Sequence, residues 1–217
     1  MIRKSEFTMK NLSSSFLIFL IFMHTTNHMI TAEATQNLPA PAVLDLDGDK
    51  LKEGTQYYIL PVIRGRGGGV TLSSRTNRTC PLYVSQAPSE VDNGLPLTFR
   101  PVDFNKGGVI RESTDLNIQF SAVSICIQST VWKLDQYDEL TRQYFITTGG
   151  VLGSPGPATI SNWFKIGRNQ SDYKLVFCPT VCSFCRVICR DVGIFVEDGN
   201  RLLALSDVPF RVMFKKA

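Results

Sequence analysis

The sequence predicts an all-β domain stapled by disulfides. From about residue 43 the chain is a series of short apolar runs rich in Val, Ile, Phe, Tyr and Thr, separated by clusters of Gly, Pro, Asn and Asp. No stretch keeps a helical repeat through three turns. Charged residues make up 19% and hydrophobic residues 43%, the composition of a chain that buries a core. A length of 217 residues allows one domain or at most two.

Residues 1–34 read as a signal peptide. Arg3, Lys4 and Lys10 supply a positive start, and residues 16–23 (FLIFLIFM) are an unbroken apolar run. Ala32-Glu33-Ala34 places small residues where a signal peptidase reads, so cleavage is expected after Ala34, with Ala32 as the alternative. The run is too short for a membrane span, which needs about 20 residues, and polar Thr25, Thr26 and Asn27 follow it. The mature chain, residues 35–217, is thus expected to be a single domain. It should be secreted to the extracellular space (apoplast) or the vacuole, with no membrane association.

Strands are expected over 57–63, 82–85, 116–120, 125–127, 131–134, 143–147, 159–166, 173–177, 193–196, 202–205 and 210–214. Residues 116–120 (LNIQF) alternate cleanly between apolar and polar, as a half-buried strand does. Asp92-Asn93-Gly94, Gly149-Gly150, Pro155-Gly156-Pro157 and Asp198-Gly199-Asn200 punctuate the runs. The series suits a sandwich or barrel. The segments 57–61 (YYILP), 116–120 (LNIQF) and 173–177 (YKLVF) recur at roughly equal intervals, a faint threefold repeat.

Histidine argues against an enzyme. The only two, His24 and His28, lie in the predicted signal. The mature chain therefore lacks the base of Ser-His-Asp and Cys-His catalysis, and it lacks histidine ligands for zinc. No cofactor or metal is expected. The net charge of +4, with no basic run beyond the first ten residues, gives no footprint for nucleic acid.

Six cysteines lie in the mature chain: Cys80, Cys126, Cys178, Cys182, Cys185 and Cys189. The last four have spacings that a thiolate metal site or a redox pair could use, but the secretory route favours disulfides. Six cysteines allow about 15 connectivities, among which spacing does not choose. The simplest arrangement nests Cys182–Cys185 inside Cys178–Cys189 and leaves Cys80 for Cys126. That last bridge would close a long loop, worth roughly 4 kcal/mol in the chain-entropy model. Sequons at Asn77 and Asn169 are expected to carry glycans.

Two other motifs dissolve on inspection. Asp45-Leu46-Asp47-Gly48-Asp49 begins like a calcium loop. It then places Lys50 where glycine is required and Gln56 where glutamate is required, so a strand followed by a turn is expected. Arg64-Gly65-Arg66-Gly67-Gly68-Gly69 is expected to be a solvated hairpin turn.

More specific are residues 43–51 (VLDLDGDKL) followed by Tyr57-Tyr58-Ile59, then Cys80-Pro81-Leu82 and residues 113–118 (STDLNI). Residues 130–134 (TVWKL), 160–166 (ISNWFKI), 173–179 (YKLVFCP) and 203–207 (LALSD) extend the pattern over the mature chain. Together these resemble the plant Kunitz family of the soybean trypsin inhibitor type, in its miraculin-like branch. The resemblance implies a β-trefoil of about twelve strands with pseudo-threefold symmetry. It also implies the disulfide pairing described above. Members mostly inhibit serine proteases through an exposed, substrate-like loop, which here falls at residues 100–111. By that resemblance Lys106 fills a trypsin-like specificity pocket, with Phe104 and Asn105 as alternatives, and Gly107 follows in the reactive segment.

Two departures from the family pattern stand out. Glu53 occupies the position where the family's inhibitors carry an asparagine that braces the loop. Gly107-Gly108 brings two residues with unusually large backbone freedom into the loop. The expected function is a secreted protease inhibitor of plant defence, monomeric, with a serine protease as its partner. The alternative is a non-inhibitory defence or stress-response interaction protein on the same fold.

Overall fold

The computed structural model describes residues 38–75, 78–103 and 108–217. The chain divides into a unit Met1–Pro39, of which only Leu38 and Pro39 are described, and a unit Ala40–Ala217 that holds every element below. The signal-peptide expectation lies outside the described residues.

The strands are β1 (Tyr57–Pro61), β2 (Val70–Arg75), β3 (Arg78–Gln86), β4 (Leu97–Pro101), β5 (Leu116–Phe120) and β6 (Lys133–Asp138). They continue with β7 (Gln143–Thr147), β8 (Lys165–Asn169), β9 (Asp172–Phe177), β10 (Arg190–Glu197), β11 (Asn200–Ser206) and β12 (Arg211–Lys216). A 3₁₀ turn, Pro157–Asn162, precedes β8.

Two layers follow from the pairing. β1 pairs with β12 and β4, β4 with β5, β8 with β9, and β9 with β12. The gap between β5 and β8 is closed by paired backbone hydrogen bonds between Leu116 and Phe164, 2.8 and 2.9 Å. These strands form a closed barrel. The hairpins β2–β3, β6–β7 and β10–β11 cap one end. The caps meet one another around a triangle through Tyr83 with Thr147, Phe145 with Ala204, and Leu202 with Ser85. Each successive group of four strands gives two to the barrel and a hairpin to the cap, so the fold is a β-trefoil. The three recurring segments are β1, β5 and β9, each the opening strand of its third.

Period-two patterning explains the barrel. In β1 and β4 every second residue is buried, so Tyr57, Ile59, Leu97 and Phe99 face inward. Aromatic side chains fill the centre with edge-to-face contacts: Phe99 with Phe214, Trp132 with Phe164, and Phe164 with Phe177. A smaller core of Phe145, Leu202 and Ala204 lies under the cap.

The structure corrects four local expectations. Strands β2 and β4 are not among the predicted runs: β2 (VTLSSR) is thin in large apolar residues, and β4 (LTFRP) carries an arginine and a proline. Residues 125–127 are not a strand. Ile125 and Ile127 stand exposed on a loop whose Cys126 is bonded to Cys80. The predicted strand 159–166 is divided, because Pro157 starts the 3₁₀ turn and only the last residues join β8. Finally, three of the four glycines of residues 64–69 are not solvated. Residues 64–66 are exposed, but Gly67, Gly68 and Gly69 are buried. A Cβ on Gly68 would sit 2.1 Å from the Asp92 carbonyl oxygen, and one on Gly69 would sit 1.9 Å from that of Asn93. Only glycine permits this approach of backbone to backbone. The acidic motif forms a turn in which Asp45 Oδ1 accepts from the amides of Asp47 and Asp49, and Leu44 bridges to Lys50.

Arg75, at the end of β2, ties the three cap hairpins together. Its guanidinium donates to Asp138 at 2.5 Å and to Glu197, and it lies 4.3 Å from the centre of the Phe145 ring. Hydrogen bonding to Arg75 holds the Asp138 carboxyl down at about 2, and it lowers Glu197 as well.

Two outcomes follow. Gly69→Ala must displace the turn at Asn93 and is expected to lose about 1–3 kcal/mol of stability in urea unfolding, the usual cost of overpacking. A variant as stable as the parent would contradict the close approach. Both carboxylates are depressed in the folded state, so their contribution is complete above their unfolded values near about 4. It is lost as pH falls through the folded values, about 2 for Asp138. Arg75→Met should therefore lower the urea midpoint at pH 6, with the gap to the parent narrowing toward pH 2. Parallel pH curves would count against the network.

Candidate functional site

The loop joining β4 to β5 is built from its two legs. Phe104, Asn105, Lys106 and Gly107 lie outside the described residues, as does the sequon Asn77. The departing leg continues the β4–β5 ladder, in which Arg100 faces Asn117 and Pro101 faces Leu116. One step further, Val102 N donates to Asp115 O at 2.9 Å.

The returning leg is laid between two N-terminal segments. Ile110 N donates to Leu51 O, and Val43 N donates to Ile110 O, both at 2.9 Å. Bridges join Ala42 to Arg111 and Lys52 to Val109. Arg111 Nη1 donates to Ala40 O, and Glu112 N to Pro41 O, each at 2.8 Å. Val43, Leu51 and Ile110 are wholly buried, so each segment is anchored by an aliphatic side chain. The acidic turn of residues 45–49 reverses the chain between these two segments.

Glu53 stands at the foot of the loop and touches both legs. Its amide donates to Gly108 O at 2.6 Å. Its carboxylate Oε1 lies 3.9 Å from Arg100 Nε, with both side chains partly exposed, so the ion pair contributes little, about 0–1 kcal/mol. Gly108 has φ +63°, the left-handed conformation that glycine adopts without strain. Its carbonyl is fixed by Glu53, so this glycine serves a turn and is not the loose residue that its type suggested.

Below the loop, Asp115 is nearly buried. Its Oδ2 accepts from Thr180 N at 3.0 Å and from Thr180 Oγ1 at 2.5 Å, and Lys165 Nζ lies 3.6 Å from Oδ1. Thr180 belongs to the disulfide knot between β9 and β10, in which Cys178 is bonded to Cys189 and Cys182 to Cys185. Cys80 is bonded to Cys126, and no free cysteine is present among the described residues. The β8–β9 hairpin is held to β12 by Asp172, which accepts from Arg211 Nε at 3.0 Å. That hydrogen bonding keeps the Asp172 carboxyl below its ordinary value. Asn169 closes β8, and its side-chain amide donates to Asp172 at 2.9 Å.

The family resemblance marked the loop and one support, Glu53, but not the others. Arg100 and Thr180 carried no signal of their own. Asp115 and the segment 43–51 did, within the family motifs, but their contacts are decided by tertiary structure. Among the described residues no cluster of His, Cys, Asp or Glu could hold a metal, and no helix is long and apolar enough to cross a membrane. The arrangement is a mount with both ends fixed, suited to presenting a short segment to a partner.

Comparison with known proteins agrees with this architecture. Residues 43–216 match the Kunitz legume family model, described as trypsin and protease inhibitor. Kunitz trypsin inhibitor 5 of Arabidopsis thaliana is 52% identical over 95% of this chain and 100% of its own length. Miraculin of Synsepalum dulcificum is 52% identical over 97% of each chain. A Kunitz-type cysteine protease inhibitor from potato superposes with a TM-score of 0.71 at 34% identity, covering 82% of this chain and 98% of its own. Soybean trypsin inhibitor gives a TM-score of 0.65 at 29% identity, covering 81% and 99%. The chain belongs to the plant Kunitz family of trypsin and protease inhibitors, in its miraculin-like branch, and carries that family's β-trefoil.

Proposed function

We propose that the protein is a secreted inhibitor of a serine protease in plant defence, acting by binding and not by catalysis. The observation that carries this is the double anchoring of the loop: the β4–β5 ladder holds one leg, and the segments 41–44 and 50–53 hold the other. A segment fixed at both ends loses less entropy on binding, which is how a substrate-like loop gains affinity. Relatives named as trypsin inhibitors support the same conclusion.

In this proposal Lys106 enters the specificity pocket of a trypsin-like protease, Phe104 and Asn105 are the alternative residues for that role, and Gly107 completes the reactive segment. Glu53 supports the loop through its amide, where the family's inhibitors use an asparagine side chain. The mature domain is residues 35–217, released by signal peptidase into the apoplast or vacuole and glycosylated at Asn77 and Asn169. A monomeric state belongs to the same proposal, supported by the fact that every cysteine is bonded within the chain and none is left for a disulfide between copies. The alternative, a non-inhibitory interaction protein, draws on Glu53, whose carboxylate faces Arg100 rather than supplying an amide to the loop.

The mature protein should inhibit bovine trypsin stoichiometrically in a titration against a chromogenic substrate. Lys106→Ala should raise the inhibition constant by about 30-fold or more, the scale of a lost hot spot of roughly 2 kcal/mol. An unchanged constant would remove Lys106 from the role. Absence of inhibition toward trypsin, chymotrypsin and papain alike would favour the non-inhibitory alternative. Glu53→Asn should tighten trypsin inhibition. If it weakens inhibition instead, the Glu53–Arg100 pair is itself part of the brace.

A further inference from the structure

A second site lies on residues that take no part in the loop or its clamp. The β1–β2 connection and the β10–β11 hairpin border a groove of about 310 Å³, at the lower end of the range of small-ligand pockets. Its wall includes Ile63, Val196 and Val208, exposed to 49%, 58% and 75%. Three aliphatic side chains gathered on one groove are costly to leave in water.

Its charge is one-sided. Arg66, Arg201 and Arg211 line the groove, and none of the described residues lining it is an Asp or Glu. Arg211 is neutralised by Asp172. Arg201 has no carboxylate partner among the described residues, and its Nε donates to Gln86 Oε1 at 2.7 Å. Gln86 is itself buried, at 3% exposure, so Arg201 is held by a fixed side chain rather than floating in solvent. Burial, and secondarily the nearby charge of Arg66, disfavour the Arg201 cation.

The buried glycines explain how this pair is brought together. A Cβ on Gly67 would lie 2.7 Å from the Ala87 carbonyl oxygen and 3.1 Å from the Gln86 amide carbon. Glycine there lets the 64–69 segment settle onto the end of β3, beside the glutamine that holds Arg201. The arginine–glycine motif thus forms part of the groove.

We propose that this groove binds a small amphipathic carboxylate, its head held by Arg66 and Arg201 and its apolar body lying along Ile63, Val196 and Val208. A guanidinium matches a carboxylate with two parallel hydrogen bonds, and an anion would relieve the repulsion between two uncompensated cations. An apolar wall suits a carboxylate with a hydrocarbon body better than a bare phosphate or a nucleic-acid backbone.

Calorimetric titration of the mature protein with octanoate tests this, with acetate and 1-octanol as controls for head and body. Octanoate should bind at one site per chain, tighter than either control, and more weakly as salt is added. Arg66→Ala and Arg201→Met should each weaken it by about tenfold or more, the scale of a charge-assisted hydrogen bond. Val208→Asp should do the same by repulsion. Arg66 is exposed, so its variant remains decisive if Arg201→Met does not fold. Octanoate binding no tighter than the controls, or binding indifferent to Arg66→Ala, would overturn the proposal.

Discussion

Antiparallel pairing of β1 with β12, from Tyr57 opposite Lys216 to Pro61 opposite Val212, joins the first strand of the barrel to the last. A β-sheet left open would expose a row of unpaired amides and carbonyls at each edge, and closure removes both edges. It also brings Phe99, Tyr173 and Phe214, from three different strands, into ring contact at the centre. The N-terminal segment is then stitched to this closed rim. Leu46 N donates to Phe214 O at 2.9 Å, Leu44 N to the Tyr173 hydroxyl at 2.9 Å, and Lys52 N to the Tyr57 hydroxyl at 3.0 Å. The clamp on the returning leg of the loop is therefore only as rigid as the barrel beneath it.

The threefold scaffold leaves each third free to differ where strands are joined, and the two candidate sites use that freedom differently. The β4–β5 connection is long and is held by residues near the start of the domain. The β1–β2 connection is pressed flat by three buried glycines and carries an arginine to the edge of a groove. Among the described residues neither connection adds an aromatic ring to the core, although Ile110 of the β4–β5 connection is buried in it and Gly69 of the β1–β2 connection packs against the Asn93 backbone. Placing the candidate sites on connections is the usual division between a scaffold and the functions grafted onto it. Buried polar contacts mark the seams. Arg75 joins β2 to β6 and β10, and Asp115 joins the loop exit to the disulfide knot.

Much of the barrel was legible in the sequence because alternation is a local property. LNIQF reads as β5 without any partner, since a strand with one buried face must place apolar side chains at every second position. β2 and β4 were not legible. VTLSSR packs few large side chains, and LTFRP is held as a strand by the ladder to β5 despite its proline. Residues 125–127 misled for the opposite reason: they have strand composition but no strand pairing, and the Cys80–Cys126 bond holds them on a loop. The arginine–glycine motif misled because composition alone does not distinguish a glycine that turns in solvent from one that lets two backbones touch.

The sequence by itself determined the class of the fold, the six cysteines and the absence of histidine beyond residue 28, and its family motifs marked residues 100–111 as the loop. These depend on residue type and spacing, which act along the chain. Only the tertiary structure decided that Glu53 would grip Gly108 with its amide while its carboxylate faced Arg100, and that Gly67 would make room for the glutamine that holds Arg201. Those contacts join residues tens of positions apart. They exist because barrel closure fixes where each connection leaves and returns, which no local pattern encodes.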